Sequence, residues 1–123
     1  MEASINLYQN WQLQPGDVVQ TYPVVSGLGD VSLELGGQSV FTPFRGTMQT
    51  IDEQCVLFTS QDVPAYRFRF CGLSQLQLGD VNAGDRIGAA DILTIALLRR
   101  QTDGTWAMVE PSVIMLERWL SKP

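Results

Sequence analysis

The chain has 123 residues, 45% of them hydrophobic and 17% charged, so intrinsic disorder is excluded and a packed core is expected. A chain of this length is read as one domain, residues 1–123, able to bury roughly two-thirds of its unfolded surface. The net charge is −5, and Lys122 is the one lysine among eight basic residues; a nucleic-acid binder, which needs a basic stripe along the phosphates, is excluded.

The N-terminal stretch "MEASINLYQNWQLQ" has neither the basic nor the apolar region of a secretory signal, which favours the cytoplasm unless a signal has been removed. No apolar run approaches the ~20 residues that span a bilayer. "NLYQNW" is a candidate helix. Glycine and proline then cut the chain into short runs: Asp17–Val25, Val31–Leu35, Ser39–Phe44, Thr47–Ile51, Gln54–Thr59, Ala65–Cys71, Asp91–Arg99 and Thr105–Val109. Gly79, Gly84-Asp85 and Gly88 read as turns or bends. Such spacing predicts an all-β sandwich or barrel. "PSVIMLERWL", with Pro111 suited to a first helical position, predicts a short C-terminal helix or tail packed by Val113, Leu116 and Trp119 or Leu120.

One hairpin is legible in register. Gln54–Thr59 and Ala65–Cys71 flank a turn at Asp62-Val63-Pro64, and pairing symmetric about position 63 opposes Phe58 with Phe68, Val56 with Phe70 and Cys55 with Cys71. Period-two alternation puts Val56, Phe58, Tyr66, Phe68 and Phe70 on the candidate core face, and Cys55, Leu57, Arg67, Arg69 and Cys71 on the other. Facing cysteines across a hairpin allow a disulfide, but the expectation preferred here is two reduced, partly buried thiols. Two thiols without histidine leave a zinc site short of its usual four ligands.

The chain also echoes itself. Gln12–Val18 and Gln75–Val81 agree at six of seven positions at an offset of 63 residues, and Arg45-Gly46-Thr47-Met48 is followed later by Asp103-Gly104-Thr105-Trp106. An internal duplication and a generic strand-turn-strand phrase both account for this.

"YRFRFCGLSQLQLGDVNAGDRIG", followed by "ALLRRQTDGTWAMVEPSVIMLERWL", resembles the C-terminal part of lysostaphin/LytM-type zinc endopeptidases. In that family an aromatic strand ends in Ala-His-Leu-Ser, followed by Gly-x-x-Val, Gly-x-x-Ile-Gly, a strand with His-x-His, a Gly turn and a Pro-containing tail. Phe70, Leu73, Ser74, Gly79, Val81, Gly84, Ile87, Gly88, Arg99, Gly104 and Pro111 reproduce the frame in order, and Val40–Met48 is similar to an upstream family strand. The resemblance covers about residues 26–120, with residues 1–16 as an N-terminal extension. It implies the duplicated hybrid motif, a barrel-sandwich hybrid fold. The family's ligand positions are replaced: Gly72 stands for the histidine before Leu-Ser, Leu93 and Ile95 for His-x-His, and Ser26 and Asp30 for His-x-x-x-Asp. A zinc peptidase needs three protein ligands and an open position for water, so the resemblance implies a catalytically inactive relative.

Residue inventory removes other chemistries of this fold neighbourhood. Covalent biotin or lipoate needs a lysine at a central hairpin, whereas Lys122 is next to the end; phosphocarrier chemistry needs a histidine, and the chain has none. A serine or cysteine nucleophile would lack a histidine base. Asp80, Asp85 and Asp91 are read first as turn caps and only secondarily as acid–base groups of a carboxylate-only enzyme. No cofactor is expected. The leading expectation is a regulatory or interaction module that binds a protein partner through the vacant groove, with Arg67, Arg69, Arg99, Arg100 and Trp106 as candidate contacts. The alternative is a structural subunit of a larger or self-associated assembly, for which the uncharged stretch Val18–Leu28 speaks.

Overall fold

The structure is a computed structural model; it describes the backbone of residues 18–19 and 22–26 and the whole of residues 30–122. "NLYQNW" and most of the first copy of the repeat lie outside the described residues. Among the described residues nine strands follow in order: β1 (Val18–Val19), β2 (Tyr22–Ser26), β3 (Val31–Phe41), β4 (Gly46–Thr50), β5 (Cys55–Thr59), β6 (Tyr66–Cys71), β7 (Gly79–Val81), β8 (Arg86–Arg100) and β9 (Trp106–Val109). The helix α1 (Val113–Leu120) ends the chain. These strands pair antiparallel, in the order β1-β2-β3-β8-β6-β5-β4-β7, with β9 also on β8. The all-β class with a short C-terminal helix is therefore as expected.

The β5–β6 hairpin has the register read from its sequence, with Cys55 opposite Cys71, Val56 opposite Phe70 and Phe58 opposite Phe68. Other boundaries differ. Val31–Leu35 and Ser39–Phe44, expected as two strands, form the single bent strand β3, because Gly36 and Gly37 take positive φ (62° and 88°) in a bulge that shifts the register against β8. Inward positions are odd before the bulge (Val31, Leu33, Leu35) and even after it (Val40). Phe44 lies beyond the strand. It is turned into the core by buried Thr42, whose hydroxyl donates to the Phe44 carbonyl (2.7 Å) and accepts from the Phe44 amide (3.1 Å).

β8 starts well before the expected Asp91 and runs straight through Gly88. A Cβ at Gly88 would come within 2.9 Å of the Ser74 carbonyl oxygen, so this glycine permits a close backbone approach rather than a turn. Gly79, also read as a turn, begins β7, which pairs with β4. The length of β8 makes it the spine of the fold: β3 and then β9 lie along one edge, β6 along the other.

One face of this sheet is covered by α1. Ser112, not Pro111, is the residue at the helix start, and its hydroxyl accepts from the Met115 amide (3.1 Å). Leu116, Trp119 and Leu120 are buried, whereas Val113, expected to pack, is 41% exposed. Trp119 is fully enclosed, its ring centroid 4.8–6.2 Å from those of Phe70, Phe68, Phe58 and Phe44. These offset and edge contacts add to the area burial that drives folding. Its indole N–H has no acceptor among the described residues.

Candidate functional site

The face of the sheet away from α1 is made by the alternate residues of the same strands. On β6 these are Arg67, Arg69 and Cys71, on β5 Cys55, Leu57 and Thr59, and on β8 Thr94, Ala96, Leu98 and Arg100. Trp106 of β9 pairs with Arg100 and joins the same face. Residues directly opposite each other in an antiparallel pair share a face, so this register decides which side chains meet.

Near the Cys71 end, three links cross the face. Cys55 and Cys71 are joined by a disulfide. The expectation of reduced thiols is thus corrected: the register sets the two residues directly opposite on one face, where neither is diverted into the core. Ser32 and Thr94 share a hydrogen bond across β3 and β8 (2.8 Å). Arg69 reaches Asp30 at 3.4 Å, each side chain one-third exposed, while the buried Arg69 Nε has no acceptor among the described residues.

The other end is a cavity of about 650 Å³. The Arg67 guanidinium lies over the Trp106 ring, 4.1 Å from its centroid, and Arg100 and Arg45 also line the space. Arg45 enters from the connection before β4 and reaches Asp62 at 3.7 Å across solvent-exposed surface. Asp80 of β7 accepts from the Thr47 hydroxyl (3.1 Å). The turn that aims Trp106 is pinned by Asp103, which accepts from the Thr105 hydroxyl (2.6 Å) and amide (2.9 Å). The hydroxyl first, and then the amide, hold this carboxyl below its ordinary value.

Four of the five candidate contacts, Arg67, Arg69, Arg100 and Trp106, are therefore on one face. Arg99 is not: it sits opposite Tyr66 and Ala107, and lines a cavity of about 360 Å³ beside Glu110 and Met115 on the helix side of the sheet. The pleat separates adjacent arginines onto opposite faces. Arg45 was missed because only the fold brings that connection beside the turn between β5 and β6. Asp85 caps a turn, accepting from the Asn82 amide (2.8 Å), as expected.

The positions aligned with zinc ligands do not form a ligand set. Ser26 ends β2 opposite Ser32, Asp30 is beside Arg69, and Leu93 and Ile95 point into the core at 0% and 1% exposure. The side chain between them, Thr94, is the one on the open face. Gly72 has φ +95°, and a Cβ there would lie 2.3 Å from the Ile92 carbonyl oxygen, so no side chain fits without movement of the backbone. Among the described residues, no group of three or more His, Cys, Asp or Glu side chains is placed to hold a metal ion. Zinc, the metal that the fold neighbourhood implies, does not fit this donor set. No described helix is long and apolar enough to cross a membrane.

This antiparallel sheet with its short C-terminal helix is a lysostaphin-like fold. The solution structure of lysostaphin matches with a TM-score of 0.58 at 13% identity, covering 87% of this chain and 55% of that one. The catalytic domain of the antimicrobial peptidase lysostaphin from Staphylococcus simulans matches with a TM-score of 0.55 at 14% identity, covering 94% of this chain and 98% of that domain. The chain thus spans about half the length of whole lysostaphin, and identity at this level establishes the fold alone. No family model and no curated protein matches the sequence.

Proposed function

We propose that this chain is a non-catalytic lysostaphin/LytM-like module that recognises or regulates a protein partner through the open face of its sheet. The observation that carries the reading is the gathering of Arg67, Arg100 and Trp106 on that face, on a chain without histidine. Arginine and tryptophan are the residue types that most often anchor interfaces. The inactive half of the reading is supported by Gly72, where the backbone leaves no room for an imidazole, and by the inward turn of Leu93 and Ile95.

The test is affinity capture from the native host with wild-type protein and an Arg67→Glu/Arg100→Glu variant of unchanged unfolding midpoint. A discrete captured protein that the variant loses is the expected result; equal capture by both overturns the assignment to this face. Stoichiometric zinc uptake accompanied by hydrolysis of glycine-rich peptides would overturn the non-catalytic reading.

A second reading, an assembly subunit, is favoured by the neighbouring apolar residues Val113 and Ile114 of α1, 41% and 73% exposed. Light scattering bears on it: a stable homo-oligomer supports assembly, and a lone monomer weakens it.

A further inference from the structure

We infer that the cavity at the Arg67–Trp106 end of the open face is a pocket for one carboxylate presented by a peptide, the side chain of an aspartate or glutamate in an extended segment. This rests on the interaction reading above and specifies the chemistry of the partner.

The arginines of the open face divide into two kinds. Arg45 and Arg69 each have a carboxylate within 4 Å, Asp62 and Asp30. Arg67 and Arg100 have none among the described residues, on a chain with 13 acidic residues to supply one. Stacking on Trp106 occupies the flat surface of the Arg67 guanidinium and leaves its edge, with the N–H donors, free for a bidentate acceptor. The stack also holds the Arg67 guanidinium in place, and the backbones of both arginines are fixed in the sheet. Arg67 pairs opposite Leu98 in β8, Arg100 pairs opposite Trp106 in β9, and the Asp103 turn fixes the connection between those strands. Less side-chain freedom is then lost on binding.

Charge decides the class of anion. Among the described residues around the cavity, three guanidinium groups, those of Arg45, Arg67 and Arg100, meet two carboxylates, Asp80 in the wall and Asp62 on Arg45. One positive charge is left over, which matches a single carboxylate. A polyphosphate or nucleic acid would meet Asp80 and the −5 charge of the chain. Thr59, Gln61 and Asn82 in the wall supply donors and acceptors for the amide groups that flank such a side chain. The volume of about 650 Å³ accommodates that side chain and its neighbouring backbone.

The experiment is an NMR titration of the labelled full chain with acetyl-Gly-Asp-Gly-amide, its asparagine counterpart, and inorganic phosphate. The aspartyl peptide is expected to give saturable shifts at the Trp106 indole N–H and Arg67 Nε–H, with a Kd on the order of 1 mM. The asparagine peptide, and the Arg67→Gln and Arg100→Gln variants, are each expected to bind about tenfold more weakly. Arg69→Gln, which changes the other end of the face, leaves binding intact. Equal shifts from the asparagine peptide, no saturable shift, or phosphate binding tighter than the aspartyl peptide overturns the inference. Loss of the captured partner by Arg67→Glu/Arg100→Glu with no response to the aspartyl peptide removes the carboxylate pocket and leaves the interaction reading standing. Peptide binding without any partner capture through this face does the reverse.

Discussion

The two faces of the β5–β6 hairpin are built from alternate residues of the same two strands, yet they follow different rules. Val56, Phe58, Phe68 and Phe70 are at most 2% exposed and meet Trp119 or one another, with no polar side chain among them. Cys55, Leu57, Arg67, Arg69 and Cys71 are half-buried and held by one-to-one links: a disulfide, an ion pair and a cation–π contact. Stability on the first face comes from filled volume, where every removed atom leaves a cavity. On the second face it comes from a covalent cross-link that restricts the unfolded chain and from charged contacts that water partly replaces once they are broken.

Mutations on each side sharpen the contrast. The largest effect is expected from Trp119→Ala, which empties the centre of the aromatic cluster and should cost about 3–5 kcal/mol in urea unfolding; a loss under ~1.5 kcal/mol would show that the core face is not organised around this ring. Gly72→Ala stands at the border between the faces. Its Cβ would meet the Ile92 carbonyl at 2.3 Å with φ at +95°, so a loss of at least ~2 kcal/mol is expected. Gly104→Ala, equally positive in φ but with nothing within 4 Å, isolates the backbone strain and should cost ~1 kcal/mol. An equal loss at the two positions would contradict the close approach at Gly72.

Cutting the open-face disulfide by Cys55→Ala/Cys71→Ala should cost about 2–3 kcal/mol, through the greater freedom of the unfolded hairpin. Reduction of the wild type with dithiothreitol should lower the unfolding free energy by a similar amount, and a urea midpoint insensitive to reductant would count against the link. The smallest effect belongs to Arg67→Ala, where loss of the stacked cation should cost ~0.5–1 kcal/mol in stability. If Arg67→Ala instead approached the cost of Trp119→Ala, the two faces would not differ in kind.

Much of the hairpin was legible because its turn is short and its alternation strict: a symmetric turn about position 63 is enough to place Phe58 against Phe68. The Gly36-Gly37 bulge was not, since two glycines in a row read equally as a turn between strands and as a kink within one. Arg99 and Arg100 were both expected among the groove contacts, and only the register of β8 against β6 and β9 sends them to opposite faces. The same parity governs Leu93 and Ile95. A one-residue slip in an aligned strand exchanges the face of every side chain, and no local signal fixes that slip. The cysteines were correctly opposed and correctly placed on one face, but their bonding was misjudged, because register and face alone leave the oxidation state of two thiols open.

Local pattern alone therefore determined the all-β class, the hairpin register, a terminal segment that is either helix or tail, and the exclusion of imidazole chemistry from a chain without histidine. The tertiary structure decided which side of each strand meets the core, how Arg45, Arg67, Arg100 and Trp106 converge from four segments, and that Gly72 admits no side chain. The reason is one of range. Alternation and turn chemistry act over a few residues, whereas the composition of a sheet face depends on strand pairings between segments far apart in the chain.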